Sequence, residues 1–120
     1  MDKRTLGEFG ENAAAQFLRC KGYRIIARNY SCKFGELDII ARKGDYIVFV
    51  EVKLRKNADF AEAREFVTAA KQHRIISTAA LWLAQNESDL QPRFDVIEVY
   101  APEGKKTIFP KINHIIDAFQ

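Results

Sequence analysis

The eight residues from Tyr46 to Lys53, YIVFVEVK, constrain the fold more than any other part of the chain. Their β-branched and aromatic side chains fit a pleated surface, and an apolar run of this length suits a strand largely covered on both faces. Such a strand belongs inside a sheet. Just ahead of it, Gly35 to Arg42 (GELDIIAR) forms another apolar run, and Gly44-Asp45 between them suits a two-residue hairpin turn of type II′. Tyr23 to Tyr30 (YRIIARNY) reads as a further strand ahead of this pair.

Helices frame the hairpin. Thr5 with Glu8 three residues on is a capping box, and Leu6, Phe9, Ala13 and Phe17 recur at helical spacing as a buried stripe. Gly22 supplies the stop, because a glycine just past a helix end tolerates the left-handed conformation. Thr68 caps a second helix running to about Gln85, with Ala69, Ile75, Ile76, Ala79, Ala80 and Leu83 on one broad face. Trp82 is expected in the core or an interface, and His73 on the surface because no acid partner can be assigned to it. Pro92 is expected to close the following loop, and Arg93 to Tyr100 (RFDVIEVY) to form a fourth strand. Thr107 to Phe109 is read as a short fifth strand and Asn113 to Phe119 as a terminal helical turn. Leu54 to Val67 gives a mixed signal: its Ala and Glu residues favour helix, yet it has no apolar stripe, so part of it is expected as a loop. Strand, helix, strand in that order implies a right-handed crossover with parallel pairing. The expected fold class is α/β, a mixed central sheet flanked by helices, in one domain spanning 1–120.

Four charged residues sit where strands do not need them. Glu36 and Asp38 interrupt the second strand, while Glu51 and Lys53 end the most hydrophobic one, and charges in such places are costly unless paired or metal-bound. With Gly44-Asp45 as the turn, Lys43 faces Tyr46, Asp38 faces Glu51 and Glu36 faces Lys53, all four charges sharing one face. Two carboxylates so close repel by about 4 kcal/mol at about 4 Å in an effective dielectric near 20. A divalent cation removes that conflict, and an all-oxygen donor set with room for water and a phosphate suits Mg²⁺ or Mn²⁺ better than Zn²⁺. Lys53 beside it can orient an attacking water and stabilise charge on phosphorus. A plain cross-strand ion pair accounts for Glu36 and Lys53 but leaves Asp38 and Glu51 uncompensated.

Composition narrows the class further. With 48% hydrophobic and 29% charged residues, the chain is expected to fold. No apolar stretch approaches the roughly 18 residues of a spanning helix, and Met1 to Glu11 lacks an apolar signal segment, so a cytoplasmic protein without membrane attachment is expected. Cys20 and Cys32 read as reduced thiols, and with His73 and His114 they have no zinc-site spacing. Residues 1–56 hold 12 Lys/Arg against 7 Asp/Glu, a basic excess that suits a polyanionic partner but equally a solvated face.

Asp38, twelve residues, then Glu51-Val52-Lys53 resembles the D…E-x-K core of the PD-(D/E)xK nuclease superfamily, whose members share the restriction-endonuclease-like fold. The segments Gly7 to Glu11, Lys21-Gly22-Tyr23, Asn29-Tyr30, Phe34-Gly35-Glu36-Leu37-Asp38, Phe49 to Lys53 and Arg93-Phe94-Asp95-Val96 together resemble the uncharacterised bacterial YraN family, which is similar to archaeal Holliday junction resolvases. The match covers nearly the whole chain. It implies that Asp38 and Glu51 are metal ligands, that the carbonyl of Val52 is a further ligand and that Lys53 is the catalytic lysine. Glu11, eleven residues before Gly22, matches the first-helix acid of the resolvases and is implied as a supporting ligand. Glu36 is a family feature beside the site, and Leu37 stands where the superfamily has Pro.

Arg55 and Lys56 beyond the catalytic strand, and Lys71 and Arg74 early in the second helix, are candidate phosphate contacts. The sequence is thus expected to encode a Mg²⁺- or Mn²⁺-dependent endonuclease acting on DNA, branched structures included. The resemblance also implies a homodimer, since junction resolvases make paired cuts, although no segment marks an interface. The rivals are a non-catalytic nucleic-acid-binding or complex-assembly module that keeps the fold, and a hydrolase of small phosphorylated molecules.

Overall fold

The computed structural model describes residues 5–56 and 67–120. Helix α1 spans Leu6–Cys20, and the Thr5 hydroxyl caps it by accepting the Glu8 N–H at 3.0 Å. Its end is a Schellman motif. Gly22 takes φ 89, its N–H donates to Arg19 O at 3.0 Å and that of Tyr23 to Leu18 O at 2.9 Å. The buried face consists of Gly10, Ala14, Ala15 and Leu18, one residue around from the stripe read in the sequence, and Leu6 is exposed. Small residues win this face because α1 lies close on the sheet: a Cβ on Gly10 would stand 3.4 Å from Leu54 Cδ1.

Five strands follow, β1 (Arg24–Cys32), β2 (Gly35–Lys43), β3 (Tyr46–Arg55), β4 (Gln91–Tyr100) and β5 (Lys111–Phe119), with α2 (Ala69–Gln85) between β3 and β4. They lie in the sheet in sequence order. β1, β2 and β3 are antiparallel neighbours, β3 and β4 pair in parallel over ten residues, and β5 returns antiparallel to β4. The sheet is mixed and the class α/β, as the strand, helix, strand order implied, and the arrangement is compatible with the restriction-endonuclease-like fold. The turn between β2 and β3 has positive φ at Gly44 only, as a type II′ turn requires.

The sheet separates two cores. On one side Ala14, Ala15 and Leu18 of α1 cover Ile39, Ala41, Val48, Val50, Ile97 and Val99. On the other, Ile75, Ala79 and Trp82 of α2 cover Ile40, Ile47, Phe49 and Val96. Phe49, Phe94 and Phe119 stack across β3, β4 and β5 with centroids 5.5 and 5.3 Å apart, and Trp82 meets Phe49 edge-on at 5.9 Å. Thr68 caps α2 by accepting the Lys71 N–H at 3.1 Å. Ala69 and Ala80, read as part of its apolar face, are exposed, and Thr78 is buried instead, its hydroxyl donating to Arg74 O at 2.7 Å.

Several boundaries differ from the sequence reading, β1 among them, which is Arg24–Cys32 rather than Tyr23 to Tyr30. Pro92 lies inside β4 rather than in the loop, at the strand's start, where a missing N–H costs least. The fifth strand is Lys111–Phe119, so the short strand at Thr107 to Phe109 and the helical turn at Asn113 to Phe119 are both replaced by one strand. Pairing with the outer edge of β4 outweighs the weak helical preference of so short a segment. β3 runs on to Arg55, and the rest of the ambiguous segment, 57–66, lies outside the described residues.

Candidate functional site

The β2–β3 ladder follows the register set by the hairpin turn for five pairs, from Lys43↔Tyr46 to Ile39↔Val50, and then stops. Beyond that point β2 pairs only with β1 and β3 only with β4. At the fork, Asp38 Oδ2 accepts the Val52 N–H at 2.8 Å, so a side chain takes over a strand donor. Asp38 and Glu51 therefore meet, as the register implied, but outside regular pairing. The plain cross-strand ion pair that would account for Glu36 and Lys53 is not seen among the described residues: Glu36 is exposed, and Lys53 turns to Glu51.

A cavity of about 430 Å³ opens in the fork beneath α2, lined by Glu36, Asp38, Glu51, Lys71 and Arg74 together with the end of β1. The Asp38 carboxyl is half-shielded from water and in hydrogen-bonding contact with Glu51. Burial first, then the Glu51 charge, push its pKa up to about 7. Glu51 Oε1 is 3.1 Å from Lys71 Nζ and 3.9 Å from Lys53 Nζ. Lys53 is held below the ordinary lysine range by burial and by the ammonium of Lys71 next to it. Burial opposes charge on Lys71 too, but its contacts with Lys53 and Glu51 outweigh that and raise it.

Glu11 approaches from α1. Its charge reaches Asp38, yet its own Oε1 is buried, 3.6 Å from Arg28 Nη2 and without a hydrogen-bond partner among the described residues. Burial raises its pKa as well, and Glu36 adds to the effect. Among the described residues no three His, Cys, Asp or Glu side chains already converge as a metal cage. Asp38 and Glu51 form the pair, with Glu11 behind it. Val52 contributes its N–H to Asp38, and its side chain packs toward α1.

The expected phosphate contacts divide. Lys71 and Arg74 line the cavity. Arg55 turns to the buried Glu98, its Nε 3.6 Å from Oε2, and Lys56 borders a separate hollow with Leu6 and Pro102. The sequence assigns Asn29 no role beyond its place in the Asn29-Tyr30 motif. It takes φ 56 within β1, between the residues paired with Ile39 and Leu37, and its side chain hydrogen-bonds Glu11. Asn inside an apolar strand is the legible signal, since few other side chains accept the left-handed conformation. Arg28, which anchors both Glu11 and Asn12, carried no signal of its own.

Residues 10–99 match the model of the uncharacterised protein family UPF0102. A UPF0102 protein of Caldanaerobacter subterraneus subsp. tengcongensis is 46% identical, covering 99% of this chain and 98% of its own length. Those of Geotalea daltonii and Nocardia farcinica are 48% and 44% identical, each covering 98% of this chain and 91% of its own length. The chain therefore belongs to the uncharacterised protein family UPF0102.

Proposed function

We propose that this protein is a metal-dependent endonuclease that hydrolyses phosphodiester bonds in DNA, branched DNA included. The observation that carries the reading is the contact between the Asp38 and Glu51 carboxyls in a cavity lined also by Lys71 and Arg74, with Lys53 Nζ 3.9 Å from Glu51 Oε1. Two half-buried carboxylates in contact need a proton or a cation between them. Their oxygens, with Glu11 Oε1 behind them, ion-paired to Arg28 but accepting no hydrogen bond among the described residues, fit a hard divalent cation such as Mg²⁺ or Mn²⁺. When bound, such an ion supplies Lewis-acid polarisation of a phosphoryl oxygen and a more acidic water.

The chain's own residues supply the rest. Lys53, 23% exposed, stands beside Glu51 where its neutral amine can orient a water for in-line attack and accept the proton that water gives up, becoming an ammonium. Its lowered pKa brings it closer to the range in which a lysine exchanges a proton with water. Lys71 and Arg74 can bind the flanking phosphate oxygens, and the capped start of α2 adds free N–H groups on the same side.

The test is cleavage of labelled duplex, single-stranded and four-way-junction DNA with Mg²⁺ or Mn²⁺, comparing the wild type with Lys53→Met. The reading expects product from the wild type and a loss of about 100-fold or more in the variant. Absence of product from every substrate, or equal rates in the two proteins, would contradict it. Salt-dependent DNA binding without cleavage would establish the assembly-module alternative instead.

A further inference from the structure

The β1–β2 turn places an exposed aromatic residue, Phe34, next in sequence to the lining of the acid cavity. Cys32 pairs with Gly35, so Lys33 and Phe34 form a two-residue tip. Both bracketing residues line the cavity, and consecutive Cα atoms lie about 3.8 Å apart, so Phe34 stands one residue from the lining. Its setting is firm. The Phe34 N–H donates to Cys32 Sγ at 3.4 Å. A Cβ on Gly35 would stand 3.4 Å from Thr78 Oγ1 and 3.7 Å from Arg74 Cβ, so the tip is seated against α2.

The ring itself has no structural duty. Phe34 is 42% exposed and belongs to neither core cluster. Lys33 Nζ lies 5.2 Å from its centroid, and Arg74 and Lys71 line the cavity that the neighbouring Cys32 and Gly35 also line. Cations of this kind favour phosphates, while a rigid, half-open aromatic face favours another flat ring. A ligand that offers a flat ring joined to a phosphate through a single sugar is a nucleotide with its base out of the stack.

We propose that Phe34 is a stacking platform for an unpaired base beside the phosphate held in the cavity, which makes single-stranded or splayed DNA the substrate class of this site. The proposal rests on the nucleic-acid reading above. A base inside a duplex presents its edges in the grooves while its faces are taken by neighbours, so Phe34 selects strands that are already open or open easily there.

Binding of labelled oligothymidylate and of an abasic strand of equal length, in EDTA and over a range of salt, tests this. The two strands carry the same phosphates and differ only in bases. The wild type is expected to prefer oligothymidylate by about fivefold or more, the lower end of what one base stacked on an aromatic ring contributes. Phe34→Ala is expected to bind both strands alike, and Phe34→Trp to keep the preference. Equal, salt-dependent binding of both strands by the wild type, or a preference that survives in Phe34→Ala, overturns the stacking role and leaves the nucleic-acid reading standing. No salt-dependent binding to either strand overturns both.

Discussion

Replacing Asp38 by Asn is expected to stabilise the metal-free protein above neutral pH. In the folded chain the Asp38 carboxyl titrates at about 7, because burial and the Glu51 charge disfavour its ionised form. In the unfolded chain it titrates near 3.9. The native state therefore holds a proton that the unfolded state has lost, and the stability this proton carries is full below about pH 4 and is lost as pH rises through about 7. About three pH units at about 1.36 kcal/mol each set a ceiling of about 4 kcal/mol on the cost of ionising Asp38. Solvent at the cavity mouth and the Lys71 ammonium on Glu51 reduce this, and about 1–2 kcal/mol is expected. Asn keeps the oxygen that accepts the Val52 N–H and removes the charge. Thermal unfolding in EDTA at about pH 8 should then show a Tm higher by about 4–8 °C in Asp38→Asn. At about pH 4.5 the difference should shrink toward zero. Millimolar Mg²⁺ should raise the wild type alone, by preferential binding to its folded state. A variant equal to or less stable than the wild type at about pH 8 in EDTA would refute the reasoning.

Other consequences follow from the same geometry. Asp95 is fully buried and accepts hydrogen bonds from Arg93 at 2.8 and 2.9 Å, His114 at 2.7 Å and the Asp117 N–H at 3.0 Å. Burial alone would raise its pKa, but these partners lower it, so its contribution is present above about pH 4 and lost as pH falls below that. Asp95→Ala strands the Arg93 guanidinium and should cost about 3–5 kcal/mol in urea unfolding at neutral pH. Thr68→Ala removes the hydroxyl that caps α2, and a loss of about 1 kcal/mol is expected in the same assay. Lys53→Met should leave the denaturation midpoint almost unchanged, since Lys53 supports no described backbone contact and its ion pair with Glu51 is loose at 3.9 Å.

The fold was legible where local chemistry and tertiary pairing agree. Thr5, Gly22 and Thr68 mark helix ends that the structure keeps, and Gly44-Asp45 sets the β2–β3 register through to Ile39↔Val50. It was not legible in β5. His114 takes an inward position against Phe17 and Tyr23 where an alternating strand would show a hydrophobe, and Asp117 turns to φ 55 to reach Asp95, so the period of two is hidden. α1 misled by one residue, because close packing on the sheet selects Gly10 and Ala14 over the larger Leu6 and Phe9. In the site, Asp38 and Glu51 could be paired from the turn alone. The fork that opens the cavity could not, since it depends on Asp38 capturing the Val52 N–H and on the left-handed Asn29 in β1. Arg55 likewise reads as a surface cation until the buried Glu98 beside it is seen.

The central claim is that Asp38 and Glu51 together hold a divalent cation. Isothermal titration of Mn²⁺ into the wild type, Asp38→Asn and Glu51→Gln at about pH 8 tests it most directly, because a half-buried carboxylate pair should bind the ion only when both members are ionised. The account predicts saturable binding in the wild type, weaker by about tenfold or more in each variant. Absence of binding in the wild type, or equal affinity in all three proteins, would contradict it.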